Sequence, residues 1–185
     1  MRNILFALLI CTLLVMSCTK DTKPNPFLIN KTHIGLLTDS TQVKELDSVF
    51  INDSVVRYIA GDEFAGSINT IEIFEKGGKK LLDLSPKEAL DSTSVISSVR
   101  IIDERYKTEK NISTLSTFKA IKEAYTISKV DNLINSVVVS VNEINATFTI
   151  DKKELPGSLR FNMEATIDPV QIPEKAKIKF FMVHW

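Results

Sequence analysis

The sequence predicts an α+β fold, an antiparallel sheet with two amphipathic helices, behind an N-terminal segment of different character. Three observations carry that expectation. Apolar residues recur at helical spacing in two places, at Val43, Leu46 and Phe50 and again at Phe118, Ile121 and Tyr125. Alternation of apolar and polar residues marks other stretches, among them Ile71 to Glu75, Val137 to Ile150 and Ile178 to Met182. Gly77-Gly78 lies between Ile71 and Leu84, where a two-residue hairpin turn needs positive φ values.

The N-terminal segment comes first in the chain. Arg2 supplies a positive charge, Ile4 to Val15 is apolar apart from Thr12, and the small residue Ser17 follows. This is the layout of a secretory signal. The apolar run is shorter than the roughly 20 residues a membrane-crossing helix needs, so a permanent span is not expected. Val15-Met16-Ser17-Cys18 resembles the lipobox of bacterial lipoproteins. The resemblance implies cleavage between Ser17 and Cys18, acylation of Cys18, and attachment to a membrane through that lipid. An ordinary signal peptide beside an incidental cysteine is the plainer alternative. Thr19 stands where Asp would resemble an inner-membrane retention signal, which by analogy implies the outer membrane. Lys20-Asp21 resembles the charged export signal of Bacteroidota lipoproteins, and both periplasmic-facing and cell-surface placement stay open.

With residues 1–17 removed, Cys11 is gone and Cys18 carries lipid. No disulfide or thiol nucleophile then remains, and stability rests on a hydrophobic core. Twenty-three basic residues balance 23 acidic ones over the whole chain, so there is no positive field to attract nucleic acid.

Residues 18–33 contain Pro24 and Pro26 and no sustained periodicity, and read as a lipidated tether, with Phe27, Leu28 and Ile29 available to dock on the domain. A single α+β domain is expected over 34–185. Its first helix begins near Asp39, with Gln42 at capping-box spacing, and lines up Val43, Leu46 and Phe50. Seventy-five residues later Thr114, Phe118, Lys119, Ile121 and Tyr125 take the places of Asp39, Val43, Lys44, Leu46 and Phe50. An extended run follows each helix, Ser54 to Ile59 and Ile127 to Leu133. The offset is compatible both with two similar halves, 34–108 and 109–185, and with coincidence.

Between the helices, folding about Gly77-Gly78 places Lys76 opposite Lys79, Phe74 opposite Leu81, Ile73 opposite Leu82 and Ile71 opposite Leu84, with Ile71, Ile73, Leu82 and Leu84 facing the core. Glu72 then lies opposite Asp83 on the other face, where a flanking lysine is the ordinary answer to two carboxylates. Val95 to Asp103 reads as a strand. The phrase from Arg105 to Tyr125 resembles a loop-and-helix signature of small exported bacterial domains, with Asn111 where glycine is common. Val137, Val139 and Val141 pair with Ala146, Phe148 and Ile150 through the loop Asn142 to Asn145. Lys152 to Gly157 forms a charged exit. A closing strand puts Ile178, Phe180 and Met182 on one face, and Trp185 is expected to pack.

Chemistry is sparse. His33 and His184 have no partner at metal-ligand spacing, and no Gly-x-Ser-x-Gly, phosphate loop or His-Glu-x-x-His occurs, so no catalytic residue, metal or cofactor is assigned. Asp39-Ser40-Thr41, Asp53-Ser54-Val55 and Asp91-Ser92-Thr93 resemble the O-glycosylation acceptors of exported Bacteroidota proteins, which offers Ser40, Ser54 and Ser92 as sites. Asp-Ser also suits caps and turns. Tandem helix-plus-sheet units resemble the β-lactamase-inhibitor type of fold and, more distantly, the helix-pair-plus-sheet lipoprotein of the β-barrel assembly machine. The expectation is a lipid-anchored envelope protein acting as a non-enzymatic binding or scaffold module, its partners the membrane and another envelope protein. A small-ligand or carbohydrate binder is the alternative, and a hydrolase the third choice.

Overall fold

A computed structural model describes residues 25–60, 68–162 and 164–185. The signal segment and Cys18 lie outside the described residues. The chain runs through β1 (Leu28–Ile29), β2 (His33–Ile34) and β3 (Leu37–Thr38), then a 3-10 turn (Val43–Glu45) leading into helix α1 (Leu46–Val49). Next come β4 (Asp53–Ala60), β5 (Ile68–Glu75), β6 (Lys80–Pro86), β7 (Ile96–Ile101) and β8 (Lys107–Thr108). Helix α2 (Phe118–Ala124) precedes β9 (Lys129–Asn132), β10 (Ser136–Val141) and β11 (Ala146–Asp151). A 3-10 turn (Lys152–Glu154), a short helix α3 (Gly157–Arg160) and β12 (Ile178–His184) complete the fold.

The large sheet has the order β4-β5-β6-β7-β12-β11-β10-β9, with every neighbouring pair antiparallel. It is two four-stranded meanders joined last strand to last strand. A small sheet, β3-β2-β1-β8, contains the parallel pair β1–β8. The chain is thus α+β, with two similar helix-plus-sheet halves. The likeness extends to backbone bonding. Gln42 bridges Val95, just before β7, and Thr117 bridges Lys177, just before β12. Val43 and Lys44 donate to the Ser94 and Ser92 carbonyls at 3.0 and 2.9 Å, as Phe118 and Lys119 donate to those of Ala176 and Glu174 at 2.9 and 3.0 Å. These bonds answer orphan N–H groups in the first turn of each helix.

The core lies on one face of the large sheet. Ile71, Ile73, Leu82 and Leu84 are fully buried, as are Val137, Val139, Val141, Phe148 and Ile150. Leu46, Phe50, Phe118, Ile121 and Tyr125 from the helices, and Ile29, Ile34 and Leu37 from the small sheet, join the same cluster. The opposite face is open, with Tyr58 and Phe180 exposed. Among the described residues no helix is long and apolar enough to cross a membrane.

Several local expectations shift. The helix caps are Gln42 and Thr117, not Asp39 and Thr114, and the Gln42 N–H donates to Glu45 at 2.9 Å. Asp39 is held in the preceding turn by its N–H bond to the Thr32 carbonyl, 3.1 Å. The hairpin register holds for Ile71, Glu72 and Ile73, but Phe74 faces Lys80, because a bulge turns Leu81 inward. Gly77 and Gly78 take the required positive φ values, 114° and 91°. On β12 the buried residues are Phe181 and Val183, while Phe180 is 38% exposed. Ile178 pairs with Ile150, Phe180 with Thr149 and Phe181 with Phe148, so a bulge at Lys179 reverses the parity of the strand. Phe148 and Phe181 pack with ring centroids 4.6 Å apart. Part of the stretch read as tether is folded: Ile29 is fully buried, and the Phe27 carbonyl accepts from Lys107 at 2.9 Å. Gly35 makes this possible at φ 60°, since a Cβ there would sit 2.2 Å from the Pro26 carbonyl oxygen. Trp185 packs through its indole N–H, which donates to the Lys31 carbonyl at 3.0 Å.

Candidate functional site

The open face of the large sheet carries the polar residues that β-strand alternation points away from the core. At its centre Glu72 and Asp83 lie opposite each other as the sequence predicts. Lys80 answers both carboxylates, contacting Glu72 directly and Asp83 Oδ1 at 2.6 Å. From β7, Arg100 reaches Asp83 Oδ2 through Nε at 2.9 Å and also through its terminal nitrogen. Opposite charges therefore fix the pair. A shallow cavity of about 390 Å³ opens beside it, with Phe180 and Met182 as apolar wall and Thr70, Asp83, Ser85 and Arg100 as polar wall. The Arg100 guanidinium lies 5.3 Å from the Phe180 ring centroid, at cation–π distance. This cavity spans the β7–β12 seam, so each half supplies part of it. The sequence pairs Glu72 with Asp83 but puts Phe180 on one face with Ile178, and the bulge at Lys179 is what separates the two and places Phe180 outside.

A second polar cluster is structural. Asp103, whose side chain is fully buried, accepts from Arg105 Nε at 3.0 Å, from the Arg105 backbone N–H at 2.8 Å, and pairs with Lys79 at 2.9 Å. Arg105 also forks onto Glu75 at 2.9 and 3.0 Å and stacks 4.5 Å over Phe27. Burial opposes ionisation of Asp103, but the bonds from Arg105 and Lys79 outweigh it and hold its pKa at about 2. This network clamps the entering chain at Phe27 to the β5–β6 hairpin and to the segment after β7.

The phrase from Arg105 to Tyr125 is likewise structural. Tyr106 and Ile112 are buried, and Asn111 takes φ 67°. Thr108 Oγ1 accepts the Ile112 N–H at 3.1 Å. Lys110 donates to the Ala124 carbonyl at the end of α2, 2.7 Å, and lies 4.4 Å over the Tyr125 ring. A cation there suits both the orphan carbonyls and the helix dipole.

The remaining sequence sites do not come together. Ser17 and Cys18 lie outside the described residues. Ser40, Ser54 and Ser92 are exposed, at a turn, at the start of β4 and in the loop before β7. His33 bonds Thr32 Oγ1 at 2.8 Å, and His184 bonds Thr147 Oγ1 at 2.9 Å. His184 lines a cleft with Ser140, Asn142 and Thr147, and no carboxylate lines it among the described residues. Among those residues no three His, Cys, Asp or Glu side chains gather as metal ligands.

No family model matches the chain, and no curated protein sequence matches it. The uncharacterized protein yfeY from Escherichia coli has a similar crystal structure, with a TM-score of 0.57 and 12% identity over 85% of this chain and 99% of that one. The likeness is one of fold.

The Asp103 network predicts an acid-dependent loss of stability. A folded pKa of about 2 against the ordinary 3.8 contributes stability above pH 4 that disappears as pH falls toward 2. The contribution is about 2 kcal/mol. Chemical denaturation between pH 5 and about pH 2 should show a smaller pH slope for Asp103→Asn than for the unmodified chain; equal slopes would contradict the assignment.

Proposed function

We propose that the chain is a lipid-anchored protein of the cell envelope, held at the outer membrane through Cys18, that acts as a non-enzymatic binding or scaffold module. The observation that carries the binding role is the open face of the large sheet. Helices and small sheet cover one side only, and the other exposes Tyr58 and Phe180 around ion pairs already fixed in place. Prepositioned charge beside exposed aromatic surface lowers the ordering cost of binding another protein. The anchor rests on Val15-Met16-Ser17-Cys18 and on the apolar run before it. From Cys18 to Phe27 an extended chain reaches about 30 Å, enough to let the domain turn on its lipid.

The seam cavity favours a second reading, a small ligand or carbohydrate. Its volume of about 390 Å³ and its mix of Phe180, Met182 and four polar side chains match what a small polar ligand requires.

Two experiments test the proposal. In the native host, Cys18→Ala should abolish palmitate labelling and membrane fractionation; unchanged fractionation would refute the anchor. Phe180→Asp changes an exposed side chain, so it should leave folding intact while weakening capture of a partner from envelope extract by roughly tenfold. Undiminished capture by this variant would remove the open face from the binding role.

A further inference from the structure

A different surface is set apart by its charge. A cavity of about 540 Å³ lies where β11 ends and β12 begins, and Lys152, Lys153, Arg160 and Lys179 line it. Asp151 is the carboxylate on its wall, taking Lys179 at 3.2 Å and Lys153 at 4.0 Å. Of these four cations Lys153, Arg160 and Lys179 are exposed and Lys152 is buried, and one anion stands among them in a chain that is neutral overall. The four come from three segments, the 3-10 turn, α3 and the bulge of β12, so the fold alone concentrates them.

The rim of this cavity is apolar and exposed. Phe161 is 87% accessible and Ile134 is 71% accessible, and both line the cavity. The loop carrying Phe161 is tied to β9, because Asn132 Nδ2 donates to the Asn162 and Ala165 carbonyls at 3.0 and 2.8 Å. An aromatic and an aliphatic side chain held outward beside a basic pocket have the composition of a membrane-interface contact.

Antiparallel pairing puts the ends of β5, β7 and β11 and the start of β12 at one end of the sheet. Arg105, which follows β7, bonds Glu75 at the end of β5 and stacks on Phe27. The chain leading from Cys18 therefore enters the fold at the end that bears the basic cavity.

We infer that this end of the sheet rests on an anionic phospholipid surface. Lipid phosphates are taken by the exposed Lys153, Arg160 and Lys179, and Phe161 and Ile134 sit at headgroup depth. The inference rests on the lipid-anchored reading, which keeps the domain within reach of such a surface. Positive charges near an anionic leaflet attract it over the Debye length, so contact orients the tethered domain and leaves the open sheet face free.

The test uses the full lipidated chain with Asn162→Cys as a label site. Cys11 leaves with the signal and Cys18 is acylated, so an environment-sensitive fluorophore has one thiol to react with. Vesicles of pure phosphatidylcholine are compared with vesicles containing phosphatidylglycerol. The fluorophore should brighten and shift to the blue on the anionic vesicles only, and Lys153→Glu with Lys179→Glu should raise the lipid needed for half-maximal signal by roughly tenfold or more. If that pair disturbs folding, Arg160→Glu with Phe161→Ser alters two exposed residues and should have the same effect. Equal signals on both vesicle types, or signals indifferent to charge reversal, would overturn the inference. An equal response to inorganic phosphate without vesicles would overturn it in favour of a soluble phosphate site. Flotation with phosphatidylcholine vesicles reports the anchor separately: failure there refutes the anchor, whereas the difference between vesicle types reports the cavity.

Discussion

The pairing of β7 with β12 is the constraint on which the rest of the structure depends. Ser98 to Ile101 lie opposite Phe181 to His184, and this short antiparallel seam is where the two meanders meet. It turns two four-stranded sheets, each with its own helix, into one eight-stranded surface with one core face. Val99, Ile101, Phe181 and Val183 point inward and are buried, so the seam also runs through the middle of the hydrophobic cluster. Neither meander alone would cover its apolar face from both sides of that line. Because β7 and β12 are the last strands of their halves, the seam closes only when the whole chain is in place, a pairing with high loop-closure cost.

The seam also organises the surfaces available for function. On its open side it joins Arg100 from one half to Phe180 and Met182 from the other and forms the shallow cavity beside Asp83. At its lower end the start of β12 carries Lys179 into the basic cavity, within the same edge at which the chain enters through Phe27. A membrane contact at that edge and a binding surface on the open face do not compete, since one uses strand ends and the other strand faces. The proposed anchor, the proposed lipid contact and the proposed binding face thus describe one orientation of one domain.

Much of this was legible in residues whose signals are local. Gly77-Gly78 and the alternation around it bring Ile71, Ile73, Leu82 and Leu84 to the core face, although the loop is three residues long, closed by the Glu75 N–H on the Lys79 carbonyl at 2.9 Å, and the bulge at Leu81 restores the pairing that a two-residue turn would give. Spacing alone picks out Val43, Leu46 and Phe50 and their counterparts 75 residues on, all of which are buried. What stayed hidden depends on single-residue or distant features. The bulge at Lys179 reverses β12, and no sequence pattern announces it, so Phe180 reads as sharing a face with Ile178 while it stands on the opposite, open one. Gln42 caps its helix although Asp39 has the better capping propensity, because the β3 turn already engages Asp39. The basic cavity draws Lys152, Lys153, Arg160 and Lys179 from segments up to 27 residues apart, and only the fold brings them together. Strand order is non-local for the same reason.

Native-state hydrogen exchange is the most direct measure of whether the seam unites the molecule. The amides that bond across β7 and β12 should exchange only through global unfolding, with the same free energy and denaturant dependence as the slowest amides of β5–β6 and of β10–β11. Exchange in one meander through an opening that leaves the other protected would mean that the halves are separately stable and that the seam does not hold the fold together.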